Sequence, residues 1–297
     1  MKIIITGGSG FVGSHTIKAL KEKGYEIFNF DLKNGEEGFN WDIRNKFQLA
    51  EIIDKGDKVL HLAAIARFAE ADKDPKLAFE TNVIGTKNIA EVCEENGAER
   101  IVAASTGSVY MPIEQEPPIT EDFPVKGNSV YACSKYIGEL YIKEHKTPYI
   151  ILRYGHLYGP GKVGHGLIGG FLEKIKRGLS PILYNGLQSN DFCYIKDIVQ
   201  ANILALESDK LNEVYNIGTG EELSAKKAGE LICEIFKWKG NIETRIGRIV
   251  DPLRFVYNTS KAEHLLKFKA KYSFREGLLD MAKEISYNQS NDKATKK

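Results

Sequence analysis

A tyrosine and a lysine, Tyr131 and Lys135, lie four positions apart at the start of a predicted helix. Residues spaced i and i+4 share one face of a helix, so the lysine ammonium can act on the tyrosine phenol. At about 4 Å and an effective dielectric near 20, the attraction between unit charges is roughly 4 kcal/mol. That energy corresponds to a fall of about 3 units in the tyrosine pKa, offset in part by desolvation. The pair is predicted to supply a base near neutral pH.

Regularly spaced glycines stand near the start of the chain, where residues 6–14 read T-G-G-S-G-F-V-G-S. An apolar run precedes them and a helical pattern follows. Gly7 suits a tight turn, Gly10 lets the backbone approach a pyrophosphate, and Gly13 lets the helix pack closely on the strand. The helix N-terminus then faces the phosphates. This turn, with Phe11 and Val12, is predicted to bind a dinucleotide.

An acidic residue, Asp31, ends the next apolar stretch, residues 25–30. At roughly 20 positions beyond the glycines, a carboxylate hydrogen-bonds the adenosine ribose hydroxyls and repels a 2′-phosphate. Lys33 lies close enough to weaken that repulsion. The predicted cofactor is NAD rather than NADP.

Strand-like runs alternate with helical patterns through the first half of the chain. The predicted strands are residues 2–6, 26–30, 58–62, 100–104 and 149–153. The predicted helices are residues 11–23, 46–54, 75–96 and 130–145. This alternation predicts an α/β fold, a Rossmann-type doubly wound parallel sheet covered by helices on both faces. Ligands of such a sheet bind at the carboxyl ends of its strands.

The density of glycine rises between Gly155 and Gly170, which predicts ligand-binding loops and the start of a smaller C-terminal substrate lobe. Residues 213–217 are predicted to return to the main sheet, and helices at 224–238 and 274–287 to complete the lobe. The predicted NAD-binding domain is residues 1–154 plus about 191–218, and the substrate lobe is about 155–190 plus 219–288. Residues 289–297, polar and rich in lysine, are predicted to form a flexible tail.

The composition limits the class of protein. With 297 residues, 42% of them hydrophobic and 27% charged, the chain is typical of a globular protein with a large core. A net charge of +1 without a broad basic region argues against a nucleic-acid partner. No long apolar run predicts a signal segment or a membrane span, so a cytoplasmic location is predicted. The scattered cysteines and histidines predict neither a disulfide framework nor a metal site.

Several short motifs accompany the glycine turn. They are S-T-G-S-V-Y at 105–110, H-L-A-A at 61–64, T-N-V-I-G-T at 81–86, L-R-Y at 152–154 and L-Y-G-P-G at 157–161. Together with the Tyr131 and Lys135 pair, these motifs resemble those of the extended short-chain dehydrogenase/reductase family, specifically its nucleotide-sugar epimerases and dehydratases. The resemblance runs from Met1 to about Leu279. Jointly the motifs are highly specific.

The resemblance implies roles for single residues. Thr106 is implied to hydrogen-bond the reacting sugar oxygen, Tyr131 to be the catalytic base, and Lys135 to activate it and hold the nicotinamide ribose. The implied cofactor contacts also include Asp42 and Ile43 beside the adenine, and Leu62, Ala63, Ala64, Asn82 and Tyr154 along the cofactor. The implied substrate contacts are Thr106, His156, Tyr184, Gln188, Asn190 and Arg248.

Some positions depart from the family pattern. Dehydratases usually place Asp-Glu after the catalytic threonine, whereas this chain has Gly107 and Ser108, which argues against a 4,6-dehydratase. Asn190 stands where the family has an arginine that grips the diphosphate, and a neutral amide lacks the charge and the two-pronged geometry of a guanidinium. Arg248 is the best match to a second phosphate-binding arginine. His156 replaces a substrate-contacting asparagine, with a core or turn role equally open.

The resulting prediction is an NAD-dependent nucleotide-sugar 4-epimerase with a UDP-hexose-like substrate. It acts through a transient 4-keto intermediate with Tyr131 as base. The alternative is a nucleotide-sugar 4-dehydrogenase or 4-ketoreductase with net NAD(H) turnover, and a more remote one is an NAD-binding regulatory protein. The family commonly dimerises through helices that correspond to residues 75–96 and 130–146, so the resemblance implies a homodimer.

Overall fold

The structure, a computed structural model, describes residues 2–33, 40–112, 116–161, 166–246 and 253–294. The strands are β1 (Ile3–Thr6), β2 (Ile27–Phe30), β3 (Lys58–His61), β4 (Arg100–Thr106), β5 (Tyr149–Tyr154), β6 (His156–Tyr158), β7 (Ile182–Tyr184), β8 (Ser189–Asn190), β9 (Phe192–Tyr194), β10 (Glu213–Ile217), β11 (Leu223–Ser224), β12 (Glu243–Arg245) and β13 (Arg254–Phe255). The helices are α1 (Phe11–Glu22), α2 (Lys46–Ile52), α3 (Phe68–Lys73), α4 (Pro75–Phe79), α5 (Thr86–Asn96), α6 (Val130–Glu144), α7 (Gly166–Lys176), α8 (Ile195–Glu207), α9 (Ala225–Ile235) and α10 (Phe274–Ala294).

Six strands form one parallel sheet in the order β10-β5-β4-β3-β1-β2. Every neighbouring pair in it is parallel, so all six carboxyl ends meet at one edge. The chain winds outward from β1 in both directions, which is the doubly wound arrangement that the βαβ alternation predicted. The fold class is therefore confirmed, and β10 returns to the sheet at the residues predicted for it.

The two faces of the sheet are buried under different helices. Alternate residues of a strand point to opposite faces, and accordingly Ile3 and Ile5 belong to one apolar cluster and Ile4 to another. The first cluster is covered by α1 and α8, and the second by α2, α5 and α6. All three isoleucines are at most 2% exposed. The sheet is thus the middle of three layers and fixes the positions of the strand ends.

Helix α8 was not predicted from the sequence. Nine of its thirteen residues are buried, including the polar side chains Asp197 and Asn202. Its remaining residues, Lys196, Gln200, Leu204 and Glu207, recur at the helical period and form a mostly polar stripe, so the sequence does carry a signal for this helix. Helix α7 also forms inside the glycine-rich region for which loops were predicted.

The helix predicted over 75–96 is divided. It consists of α4, a π-helical segment at Glu80–Gly85, and α5. The segment turns Asn82 and Gly85 into the core, and a Cβ on Gly85 would lie 2.5 Å from the Ile43 side chain. Single π-turns inside helices are frequent at functional sites.

The short strands outside the main sheet form separate small sheets. Strand β8 lies between β11 and β13, while β7 pairs with β12 and β6 with β9. Helix α9 packs on α7 and α10. The backbone of α10 is helical to Ala294, seven residues beyond the predicted end at 287 and through most of the predicted tail. The proposed boundaries of the substrate lobe stay a prediction.

Candidate active site

The glycine turn between β1 and α1 is closely packed. A Cβ on Gly13 would lie 2.5 Å from the Gly7 carbonyl oxygen, and one on Gly7 would lie 2.6 Å from the Ala63 nitrogen. Gly7 also has φ +71°, a conformation that favours glycine. Helix α1 begins after Gly10 without a side-chain cap and has no acidic residue in its first turn. The N-terminus of α1 therefore suits a pyrophosphate.

Asp31 lies beside this turn, where the sequence placed it. Its carboxylate accepts hydrogen bonds from the Ser9 nitrogen at 2.9 Å and the Lys33 nitrogen at 2.8 Å. A carboxylate offers about four lone-pair directions, so two remain for ribose hydroxyls. The side chain and the turn are thus fixed to each other and together fit the adenosine half of NAD.

Asp42 is held by a residue that the sequence analysis did not select. Arg44 contacts both oxygens of the Asp42 carboxylate, with its Nη2 at 2.6 Å and its Nε at 2.9 Å from Oδ2. Burial raises the pKa of Asp42, but hydrogen bonds from the Arg44 side chain and backbone outweigh it and leave that pKa below its ordinary value. The neighbouring Ile43 is buried. The carboxylate is therefore fixed in place and charged.

The end of β3 lies against the glycine turn. Leu62, Ala63 and Ala64 are partly exposed there. The amide of Asn82 is engaged within the protein, since it accepts from the Ile65 nitrogen at 2.8 Å and donates to the Ile65 carbonyl at 3.1 Å and Ser134 Oγ at 2.9 Å. Asn82 therefore joins this loop to α6. Its predicted contact with the cofactor stays a prediction.

His61 is fully buried between two threonines. Its Nδ1 lies 2.7 Å from Thr6 Oγ1 and its Nε2 lies 2.9 Å from Thr86 Oγ1. Because Thr86 Oγ1 donates to the Asn82 carbonyl, it accepts from His61 Nε2, and Thr6 donates to Nδ1. This arrangement fits only the neutral ring. Burial, and then the Lys135 charge, lower the pKa of His61 to about 3.

Thr106 ends β4 and is 9% exposed. Its Oγ1 accepts from the Ser108 nitrogen and donates to Ser108 Oγ, each at 3.2 Å. It thereby caps the 3-10 turn Gly107–Tyr110. Gly107 has no room for a side chain, because a Cβ there would lie 2.2 Å from Tyr257 Oη and 2.3 Å from Phe255 Cζ.

Tyr131 lies in the first turn of α6, which Ser129 caps by accepting a hydrogen bond from the Ala132 nitrogen at 3.1 Å. The partly buried phenol packs edge-on against Phe68 with ring centroids 5.3 Å apart. Burial raises the pKa of Tyr131, and a hydrogen bond between its side chain and that of Thr106 opposes the rise. The chain's own groups thus leave the pKa of Tyr131 above its ordinary value.

That result differs from the expectation that the lysine charge, offset only in part by desolvation, would bring the phenol pKa close to neutrality. Lys135 is 7% exposed. Burial lowers the pKa of its ammonium to about 8, with Glu139 acting in the opposite direction. The expectation from sequence allowed desolvation only as a partial offset to the charge of the lysine. In the folded chain, desolvation is the larger effect on both groups.

Two predicted contacts on the β5 and β6 side face the interior. Tyr154 is buried and its hydroxyl donates to Asn202 at 2.5 Å, so this group is engaged within the protein. The His156 ring packs edge-on against Phe192 and Phe255, with centroids 5.9 and 5.4 Å away. Phe255 also approaches Gly107, which puts this aromatic group next to Thr106.

The remaining predicted substrate contacts lie on or near β7 and β8. Tyr184 is half exposed, and its carbonyl accepts from Gln188 Nε2 at 3.0 Å. Asn190 is 6% exposed, and its buried Oδ1 has no hydrogen-bond partner among the residues that the structure describes. Arg248 lies outside the described residues. Arg254, the next arginine along the chain, pairs with Glu222 and Glu116.

Comparison with known proteins places this geometry in a family. Residues 3–218 match the model of the NAD dependent epimerase/dehydratase family. A protein of Methanocaldococcus jannaschii that carries a provisional UDP-glucose 4-epimerase name is 34% identical over 295 residues, which cover 93% of this chain and 95% of that protein. Human dTDP-D-glucose 4,6-dehydratase is 28% identical and covers 98% of this chain and 92% of that protein.

Solved structures support the same family assignment. UDP-glucose 4-epimerase of Thermotoga maritima, determined with UDP-glucose, superposes with a TM-score of 0.89 at 28% identity and covers 97% of this chain and all of that one. The chain therefore belongs to the NAD-dependent epimerase/dehydratase family of the extended short-chain dehydrogenases/reductases. It is an enzyme that uses NAD, and its relatives act on nucleotide sugars. No helix among the described residues is long and apolar enough to cross a membrane.

Proposed function

We propose that this enzyme is a 4-epimerase of a UDP-hexose. The observation that carries the proposal is that the Thr106 and Tyr131 side chains lie close enough for Thr106 to lower the pKa of the phenol, with Lys135 one turn further along α6. They lie at the carboxyl edge of a sheet whose glycine turn suits NAD. Relatives named UDP-glucose 4-epimerase that match over nearly the whole chain support the same reaction.

NAD supplies the redox chemistry when bound, since it can take a hydride from a sugar carbon and return it. The first turn of α1, from Gly10 to Gly13, would hold its pyrophosphate. Asp31 would hold the adenosine ribose, and Asp42 with Ile43 would contact the adenine. Lys135 would hold the nicotinamide ribose. These side chains and N–H groups orient the reacting atoms and leave the protein to manage protons.

In this proposal, Tyr131 is the residue that accepts and returns the proton. Its phenolate takes the proton from the sugar C4 hydroxyl and later returns it, while Thr106 hydrogen-bonds the same oxygen. Because burial raises the pKa of Tyr131, the phenolate depends on a nearby positive charge. The Lys135 ammonium provides that charge, so its protonation controls how much base is present.

Gly107 argues against dehydration. A dehydratase of this family carries an acidic side chain at this position, and here a Cβ would already overlap Tyr257 and Phe255. A net oxidation or reduction at C4 is the second candidate. The buried neutral amide of Asn190 favours it. An epimerase must hold the nucleotide firmly while the sugar rotates in the site, and an amide binds a diphosphate more weakly than a guanidinium does.

The deciding experiment is to incubate the purified enzyme with UDP-glucose and follow the sugar by proton NMR while the absorbance at 340 nm is recorded. We expect the C4 epimer to accumulate without net NADH. A keto product that accompanies a rise at 340 nm would instead establish the dehydrogenase. A panel of other UDP-hexoses in the same assay then identifies the preferred sugar.

Tyr131→Phe tests the assigned base. The variant is expected to lose about 10²–10⁴-fold in kcat, the usual contribution of a general base, while its affinity for NAD, measured by titration calorimetry, stays unchanged. Tyr141→Phe is the matched control, since it removes a tyrosine hydroxyl from the same helix and is expected to keep full activity. Full turnover by Tyr131→Phe would show that another group is the base.

A further inference from the structure

Beneath Lys135 lies a buried group of charges that the reaction as proposed does not use. The Glu139 carboxylate, 2% exposed, accepts from Arg153 Nη2 at 2.6 Å and Nε at 2.9 Å. Ser105 Oγ donates to the same carboxylate at 2.5 Å. Arg153 is itself 3% exposed and donates to the Tyr110 hydroxyl at 2.8 Å. The carboxylate is thus held rigidly by neighbouring strands β4 and β5.

Glu139 follows Lys135 by four positions on α6, so the two side chains share a face of the helix. Both line one small enclosed cavity, together with His61, Thr86 and Ser105. Among the described residues, Lys135 makes no hydrogen bond or ion pair with a protein group. Its charge is therefore compensated at a distance, and Glu139 is the carboxylate that provides this compensation.

The other groups around Lys135 cannot take this role. His61 on β3 is neutral because both its nitrogens are committed to threonines. Thr86 on α5 and Ser105 on β4 carry no charge. Arg153 on β5 is positive, and so is Lys143, whose Nζ lies 3.8 Å from Glu139. Tyr131 is negative only as the phenolate that Lys135 is proposed to stabilise. Among the described residues around Lys135, Glu139 is thus the one group that stays negative throughout, near the cations Lys135, Arg153 and Lys143.

We propose that Glu139 is a positioning residue of the active site: its carboxylate, fixed by Arg153 and Ser105, keeps the Lys135 ammonium charged at the pH where the enzyme works. The inference rests on the proposed function, because Glu139 acts through Lys135. Without the carboxylate charge, the pKa of Lys135 would fall below its present value of about 8. For charges about 6 to 10 Å apart at an effective dielectric near 20, the fall is about 1 to 2 pH units.

Two opposite variants separate this role from a purely structural one. Glu139→Gln removes a negative charge near Lys135 and Arg153→Met removes a positive one, yet both break the same buried ion pair. The lysine pKa is followed in the NAD-loaded enzyme by carbon-13 NMR of the lysine ε-methylene signals, with the Lys135 signal assigned by Lys135→Arg. We expect the pKa of Lys135 to fall in Glu139→Gln and to rise in Arg153→Met. The alkaline limb of the kcat profile should move in the same directions.

Two further variants complete the test. Glu139→Asp keeps the charge and is expected to hold the pKa of Lys135 within about 0.5 units of the wild-type value. The double variant Glu139→Gln, Arg153→Met removes both charges of the ion pair, so neither partner is left buried without the other, which is the strongly destabilising arrangement. It keeps the comparison available if a single variant fails to fold, and the pKa of Lys135 should then lie between those of the two single variants.

The proposal is overturned if the pKa of Lys135 stays constant, or moves in the same direction in Glu139→Gln and Arg153→Met. That result would make the ion pair purely structural and leave the epimerase proposal intact. Failure of the epimerase proposal has a different signature. In that case the wild-type enzyme would form no C4 epimer from UDP-glucose, or would form a keto product with a rise at 340 nm.

Discussion

Two buried basic side chains, His61 and Lys135, line the same cavity in this site but differ in protonation state. His61 is excluded from protonation, since Thr6 donates to one ring nitrogen and Thr86 accepts from the other. Lys135 keeps its ammonium because a carboxylate lies on the same helical face. Burial lowers the pKa of both groups, and the contrast follows from their ordinary pKa values, 6.5 for His61 and 10.5 for Lys135, together with the Glu139 carboxylate near Lys135.

The neutrality of His61 makes the stability of the fold depend on pH. The pKa of His61 is about 3 in the folded chain and about 6.5 when unfolded. Below pH 6.5 the unfolded state therefore binds a proton that the folded state does not, and the free energy of unfolding falls. Between pH 7.5 and 5 the expected loss is about 2 kcal/mol.

The measurement is urea unfolding of the wild type and of His61→Gln across this pH range. Gln has no titratable group, so the difference in unfolding free energy between the two proteins should shrink by that amount as the pH falls. A constant difference would mean that His61 is protonated in the folded protein as readily as in the unfolded one.

At the scale of single elements, α6 is the helix on which the chemistry depends. Ser129 caps it, Tyr131 and Lys135 follow within two turns, and Glu139 comes one turn later. Its first turn must be well ordered because Tyr131 lies there. The strand β4 delivers Thr106 to the same place, and the two elements are in direct contact.

Ser129→Ala tests how much the start of α6 matters. Loss of an N-cap costs about 1 kcal/mol of stability, and the first turn that holds Tyr131 would loosen, with an expected fall in kcat of about threefold to tenfold. Ser224→Ala removes the equivalent cap of α9, away from Tyr131. Thermal unfolding should show similar losses in both variants, whereas steady-state kinetics should show a fall only in Ser129→Ala. Equal kcat values in the two variants would show that the N-cap of α6 does not affect catalysis.

At the scale of the whole molecule, Asp191 joins segments that are far apart in sequence. Its buried carboxylate accepts from Thr219 Oγ1 at 2.6 Å, from the Thr219 and Gly220 nitrogens at 2.7 and 2.9 Å, and from the Tyr257 nitrogen at 3.4 Å. The end of β10 is thereby fixed beside β13 and the aromatic group near Thr106. The two predicted lobes meet at this carboxylate.

Self-association is the remaining prediction at this scale. The predicted dimer uses α4, α5 and α6, on which Phe79 and Leu140 are 48% and 43% exposed. A two-fold interface pairs each such residue with the same surface of a second copy. Leu140→Lys should therefore yield monomers in sedimentation velocity, whereas Leu279→Lys, on a residue 42% exposed on α10, should not change the assembly. If both variants sediment like the wild type, the interface lies elsewhere.

The sequence alone was sufficient for features that depend on local spacing. Alternating strands and helices predicted the parallel sheet to within a few residues, and the glycine spacing predicted the turn from β1 into α1. Tyr131 and Lys135 were found because i and i+4 share a helical face whatever the rest of the chain does. NAD followed from Asp31, a residue at a fixed interval from the turn.

Only the tertiary structure decided the charges and the supports of the site. The pKa values of Tyr131 and Lys135 depend on how deeply each is buried, and burial is set by strands and helices distant in sequence. No regular sequence spacing identifies the interacting pairs in the site. These pairs are Arg153 with Glu139, His61 with Thr86, and Asp42 with Arg44. Hydrogen bonds and desolvation act over a few ångströms in space, and that distance is known only once the chain has folded.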